Sequence, residues 1–189
     1  MGRKVYIKAI CEFRNGDPEP DYRNILSPIA SRRMGKMLKH AIWTSVEALS
    51  VAGLKNVDAI MTATDHGCIL NTEQYMSALY GVSEAALSPT SFMQSTHNTV
   101  SSMIAIHLGC HGYNATYSHT GASLESALLD AWLQISLGDI DTALVGKFDE
   151  VAPLFCKDGA GESVAISYVL SADPEGSIRE LTMPELCIN

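Results

Sequence analysis

The apolar and polar positions along the chain alternate between short runs and longer periodic stretches. Residues 4–13 (KVYIKAICEF) are mostly apolar with single charges, and predict a first strand. Asn15-Gly16-Asp17-Pro18, Pro20 and Pro28 then mark residues 14–28 as a loop. From about 30 to 52 the spacing becomes helical, with Met34, Met37, Leu38, Ala41, Ile42, Leu49 and Ala52 on one face and Gly53 as terminator. Residues 58–64 (DAIMTAT) suit a short buried strand. Asn71, followed by Gln74, reads as the cap of a helix ending near Gly81. Pro89 interrupts. A helix over about 95–108 follows, with Val100, Met103, Ile104, His107 and Leu108 at helical spacing and Gly109 and Gly112 at its exit.

Residues 113–118 (YNATYS) predict another strand, and His119-Thr120-Gly121 a tight turn. A helix over 122–137 should turn Leu124, Leu128, Ala131 and Ile135 inward and stop at Gly138. Residues 141–147 and 162–170 read as buried strands, Asp173-Pro174-Glu175-Gly176 as a turn, and the last dozen residues as an added edge strand. Strands alternating with helices predict an α/β fold with a largely parallel or mixed sheet. The 189 residues are expected to form one domain, with its core over about 4–170 and an extension over 171–189.

Composition narrows the function classes. With 47% hydrophobic and 18% charged residues, the chain can bury a sizeable core. A net charge of −8 lacks the basic footprint that nucleic acid requires. Cys11, Cys68, Cys110, Cys156 and Cys187 form no CxxC pair, so neither zinc nor a disulfide framework is indicated. Reduced thiols fit a cytoplasmic protein. The basic Met1-Gly2-Arg3-Lys4 start is followed by an apolar stretch broken at Lys8 and Glu12, which is not a signal peptide. Tyr6 stands where myristoylation wants Ser or Thr, and no run is long enough to span a membrane. The six histidines show no metal-ligand spacing, and no glycine-rich nucleotide motif occurs, so neither metal nor cofactor is expected.

The segment over residues 90–150 carries the most information. Ser31-Arg32-Arg33-Met34-Gly35, Asn98, Ile104-Ala105-Ile106-His107-Leu108-Gly109, Gly112-Tyr113-Asn114 and Gly138-Asp139-Ile140-Asp141-Thr142-Ala143-Leu144-Val145-Gly146, followed by Asp149-Glu150, stand in a fixed order and spacing. In these the chain resembles the β-ketoacyl synthases of fatty-acid and polyketide assembly, over most of residues 4–170. The resemblance implies a thiolase-like half-fold, matching the N-terminal half of a ketoacyl synthase, with a mixed, mostly parallel central sheet flanked by helices. It also implies a nucleophilic cysteine at an elbow after the 113–118 strand. There the N-terminus of a helix lowers the thiol pKa for acyl transfer from a carrier thioester. Here the segment reads Ser118-His119-Thr120-Gly121-Ala122-Ser123, and Gly121 takes the cysteine position. The family's second half, with its two histidines, has no counterpart in these residues. Gly121 equally suits a tight strand-to-helix turn. Either way no nucleophile stands there, so the catalytic set is empty.

The resemblance implies a chain-length-factor-type subunit, as in aryl-polyene and polyketide clusters. Its expected partners are a full-length ketosynthase and an acyl carrier protein, in a homo- or hetero-oligomer. The implied interface runs along Asn114, Thr116, Tyr117, Ser118 and His119 and the neighbouring helix at Ile104 and His107. Phe92, Met93, His97, Asn98, Met103, Thr120, Gly121 and Ser123 are the candidate pocket residues. The blander roles are core packing for the methionines, turn and cap roles for His97 and Asn98, and helix capping for Ser123. An active acyltransferase using Cys110 or Ser123, and a free-standing acyl-binding scaffold, are the alternatives. Cys110-His111 reads more simply as a loop, because adjacent residues rarely form a thiol–imidazole pair.

Overall fold

The computed structural model describes residues 2–81, 88–119, 121–154 and 163–185. Its strands are β1 (Tyr6–Arg14), β2 (Ala59–Ala63), β3 (Tyr113–Tyr117), β4 (Thr142–Asp149), β5 (Val164–Ser171) and β6 (Arg179–Glu180), in one sheet of order β3-β2-β4-β5-β1-β6. β2 pairs in parallel with β3 and β4, whereas β5 is antiparallel to β4 and β1, and β6 to β1. Strands β1 to β4 therefore run one way and β5 and β6 the other. This is the mixed, mostly parallel sheet of the thiolase-like half-fold. The C-terminal ends of β1 to β4 share one edge of the layer.

Side-chain alternation divides the core into two layers. Ile60, Leu144 and Phe148 face helices α2 (Lys36–Val51) and α5 (Thr99–Leu108). Ala59, Met61, Ala63, Ala143 and Val145 face helix α6 (Ser123–Leu137), which answers with Ala127, Ala131 and Ile135. With helices on both faces, all five residues of β2 are buried, which is why its sequence is apolar apart from Thr62, whose hydroxyl pairs with Thr116. No helix among the described residues is long and apolar enough to cross a membrane.

Several boundaries differ from the sequence reading. The helix expected over 30–52 is two helices, α1 (Pro28–Arg33) and α2, broken where Met34 is extended and Gly35 caps α2. Pro28 opens α1 instead of lying in the loop. A proline needs no N–H at the first helical position, and Ser27 Oγ accepts the Ala30 N–H at 3.2 Å. Asn71 lies inside helix α3 (Ile69–Gly81) and does not cap it. The α3 start is held by Glu150, whose Oε1 accepts the Leu70 N–H at 3.0 Å across 80 residues of sequence. Pro89 likewise opens a helix, α4 (Pro89–Gln94), with Ser88 Oγ accepting the Ser91 N–H, and α5 begins only at Thr99. The expected edge strand is β6, two residues long. Thr120, residue 162, Cys156 and Cys187 lie outside the described residues.

Candidate functional site

The elbow between β3 and α6 sits at the C-terminal edge of the sheet. Gly121 is exposed with φ +78°, and a Cβ placed on it would meet nothing within 4 Å. The left-handed backbone explains the glycine: a side chain would have room but a strained backbone. Ser123 is 2% exposed and is the first residue of α6, one position past the N-cap Ala122. Its Oγ accepts the His119 N–H at 2.9 Å. The same oxygen lies 2.6 Å from the His119 carbonyl, 2.8 Å from Asp65 Oδ1 and 3.2 Å from the Thr64 carbonyl. One hydroxyl proton serves one of these three acceptors at a time. Ser123 thus ties the elbow to the end of β2. The expected capping role is not what it performs, because its oxygen bonds the loop before the helix and not a helix N–H.

A charge network lies against this hydroxyl. Lys147 Nζ is 3.0 Å from Asp65 Oδ2 and 3.9 Å from Asp149 Oδ2. Asp149 Oδ1 accepts from Thr64 Oγ1 at 2.8 Å and from the Asp65 and His66 N–H groups at 2.9 and 3.0 Å. Burial raises the Asp65 carboxyl, but hydrogen bonds from Lys147 and Ser123 outweigh it and hold the group below its usual value. Asp65 and Lys147 are 82 positions apart, and no local motif announces them. The Ala63–Lys147 register of β2 against β4 brings them together.

The other expected residues scatter. Phe92 and Met93 are exposed on α4, where the Phe92 ring lies 5.4 Å from Tyr75. Met103 packs in the α2/α5 layer, on the face of the sheet opposite Ser123. Asn98 occupies the N-cap position of α5 without a side-chain cap bond, and His97 lies against Gly67. Cys110 Sγ donates to the Val57 carbonyl at 3.3 Å, before the start of β2 and thus at the edge opposite the elbow. It is therefore remote from Gly121.

Along β3, the Asn114 amide donates to the Ser101 carbonyl at 3.2 Å, and Thr116 Oγ1 is 3.0 Å from both Thr62 Oγ1 and Ser101 Oγ. These bonds fix α5 beside the strand. Tyr117 packs against the α6 layer, and burial first, then Asp130, pushes its phenol above the ordinary range. Ser118 and His119 are exposed. Ile104 is 1% exposed in the core and does not belong to an outer surface. The outward residue of α5 is Ile106, 73% exposed and near the 45% exposed Tyr113 in sequence order after the helix. His107 is exposed too, and burial of part of its ring lowers its proton affinity. Among the described residues, no group of three His, Cys, Asp or Glu side chains could hold a metal ion.

The family model described as β-ketoacyl synthase, N-terminal domain, matches residues 9–183. No curated protein matches the chain. Among solved structures, a ketosynthase (ApeO) in complex with its chain length factor (ApeC) from Xenorhabdus doucetiae matches at 18% identity and a TM-score of 0.73, over 89% of this chain and 79% of that one. The ishigamide ketosynthase/chain length factor matches at 18% identity and 0.73, over 90% of this chain and 59% of that one. The AntDE:AntF structure, described as a type II PKS acyl-carrier protein in complex with its ketosynthase bound to the hexaketide, matches at 14% identity and 0.78, over 90% and 63%. At these identities the likeness is one of fold.

Proposed function

Because the chain belongs to the family of β-ketoacyl synthase N-terminal domains, we propose that it is a non-catalytic subunit of the chain-length-factor type. It pairs with an active β-ketoacyl-ACP synthase in fatty-acid, polyketide or aryl-polyene biosynthesis. One observation carries this reading. The elbow where the family resemblance locates a nucleophile holds Gly121, and no side chain at that position can attack a thioester. Neither alternative nucleophile repairs the loss. Ser123 is buried and fully engaged, and Cys110 lies at the far edge of the sheet.

The free edge of β3 supports pairing. Among the described residues β3 pairs only with β2, so its outer N–H and C=O groups have no strand beside them. Such an edge is a ready template for a strand from another chain. Tyr113 on β3 and Ile106 on the neighbouring α5 add exposed apolar surface.

In this role the subunit meets the growing acyl chain at the interface, and side chains there limit its length. Carrier-protein docking falls to the ketosynthase, since this chain is itself acidic. The test is co-expression with a full-length ketosynthase followed by mass measurement in solution. A stoichiometric complex is expected. A chain that stays monomeric beside the ketosynthase, or that forms a stable acyl adduct with a loaded carrier protein, overturns the proposal.

A further inference from the structure

A cavity of about 180 Å3 opens where α2 begins, beyond the C-terminal ends of β1 and β4 and apart from the elbow. Roughly 150 Å3 is enough to hold a benzene ring, so the space admits a small organic group. Its walls carry three carboxyl groups, Asp17, Glu19 and Glu150, against one lysine, Lys36. His40 is stacked on Phe13 with ring centroids 3.9 Å apart. Burial lowers the His40 pKa despite Glu19, which disfavours its charged form.

The carboxyls are not equivalent. Asp17 Oδ2 accepts the Arg14 N–H at 2.8 Å. Glu19 uses both oxygens, accepting from Tyr22 Oη at 2.9 Å and lying 3.3 Å from His40 Nε2. Glu150 is only 7% exposed, and its Oε1 is committed to the Leu70 N–H. Its Oε2 makes no hydrogen bond among the described residues, although the side chain lines the cavity. That oxygen is open to the cavity and not fully buried, so a donor or cation held there would complete the carboxylate. Burial also pushes the Glu150 carboxyl above its usual value, a penalty that a neighbouring positive charge relieves.

We propose that this cavity binds a small cationic group, an ammonium or a guanidinium, with Glu150 as its counter-ion. The group arrives either on a free small amine or on a basic side chain of a partner. Lys36 also lines the cavity and its charge already acts on Glu19, so it opposes a cationic ligand. This gives the test a sign. In calorimetric titration of the full chain with methylguanidinium chloride, against potassium chloride at equal ionic strength, binding above the salt control is expected. Glu150→Gln should weaken it about tenfold, while the amide oxygen still accepts the Leu70 N–H. Lys36→Ala, at an exposed position, should tighten it. A blocked Gly-Arg-Gly peptide separates the sources: if it binds as well, the ligand is a partner's side chain, and if only methylguanidinium binds, it is a free amine. No binding above the control, an unchanged Glu150→Gln variant, or weaker binding after Lys36→Ala overturns the proposal.

Discussion

At the C-terminal end of β3 most polar groups bond one another, with Asp149 Oδ2 buried without a hydrogen-bond partner, whereas along the strand's outer edge the backbone groups have no neighbouring strand among the described residues. The elbow closes on itself: Ser123 joins His119 to Asp65, Lys147 joins Asp65 to Asp149, and Asp149 gathers three donors. Gly121 contributes backbone shape and no reactive group. The edge a few residues earlier has no strand beside it among the described residues, and Tyr113 on β3 and Ile106 on the adjacent α5 are exposed. The opposite edge of the sheet makes the contrast sharper. β6 is two residues long and carries the exposed Lys4–Glu180 pair at 2.8 Å, a short charged edge that discourages pairing. One strand end is arranged for rigidity and the strand's edge for company, which favours association over bond-making.

The largest expected effect comes from charging the open edge. Ile106→Lys combined with Tyr113→Lys should cost on the order of 4 kcal/mol of association, about a thousandfold, if both are central contacts. Sedimentation of the mixed subunits measures this, and unchanged circular dichroism shows that the fold survives. The matching control beside the short β6 edge, Ile178→Lys, should leave association intact.

Next comes the elbow network. Asp149→Ala leaves Thr64 Oγ1 and two backbone N–H groups without their acceptor and Lys147 with one fewer counter-charge. A loss of about 3 kcal/mol in urea unfolding is expected. A loss under 1 kcal/mol would mean that the network is not the clamp described above.

A smaller effect separates the two carboxyls by pH. Asp65 is held below its usual pKa in the folded chain, so the unfolded chain binds its proton more tightly. Its stabilisation is complete above the ordinary carboxylate value and drains as pH falls through the folded value. Asp65→Asn should flatten that part of the acid limb. Glu150 is raised, so its contribution runs the other way: stability falls as pH rises from the ordinary value through the raised one, and Glu150→Gln removes that fall.

The smallest effect belongs to Gly121. Gly121→Ala should cost about 1 kcal/mol for the left-handed backbone and leave association unchanged. A loss of association with this variant would tie the elbow to the interface and blur the contrast drawn here.

Much of this architecture was legible in the chain, and the reasons are local. β2 is a short, mostly apolar run, α6 has a clear small-residue stripe, and Gly121 ends a polar turn before a helix. The failures have a different physical origin. α5 carries apolar residues around much of its circumference, so spacing alone did not separate Ile104, which packs inward, from Ile106, which does not. The cap of α3 arrives from Glu150, and the partner of Lys147 is Asp65, each more than a loop away. Only the register of the sheet reveals such pairs. The break at Met34–Gly35 was hidden because Met34 keeps its apolar contact with the core while leaving the helix.

The most direct test is the solution mass of the unmodified chain with a full-length β-ketoacyl-ACP synthase, compared with the Ile106→Lys, Tyr113→Lys variant under the same conditions. A stable stoichiometric complex that the paired substitution dissolves is the expected result. A chain that ignores the ketosynthase, or a complex indifferent to both lysines, contradicts the assignment of this protein as a partner subunit joined through β3.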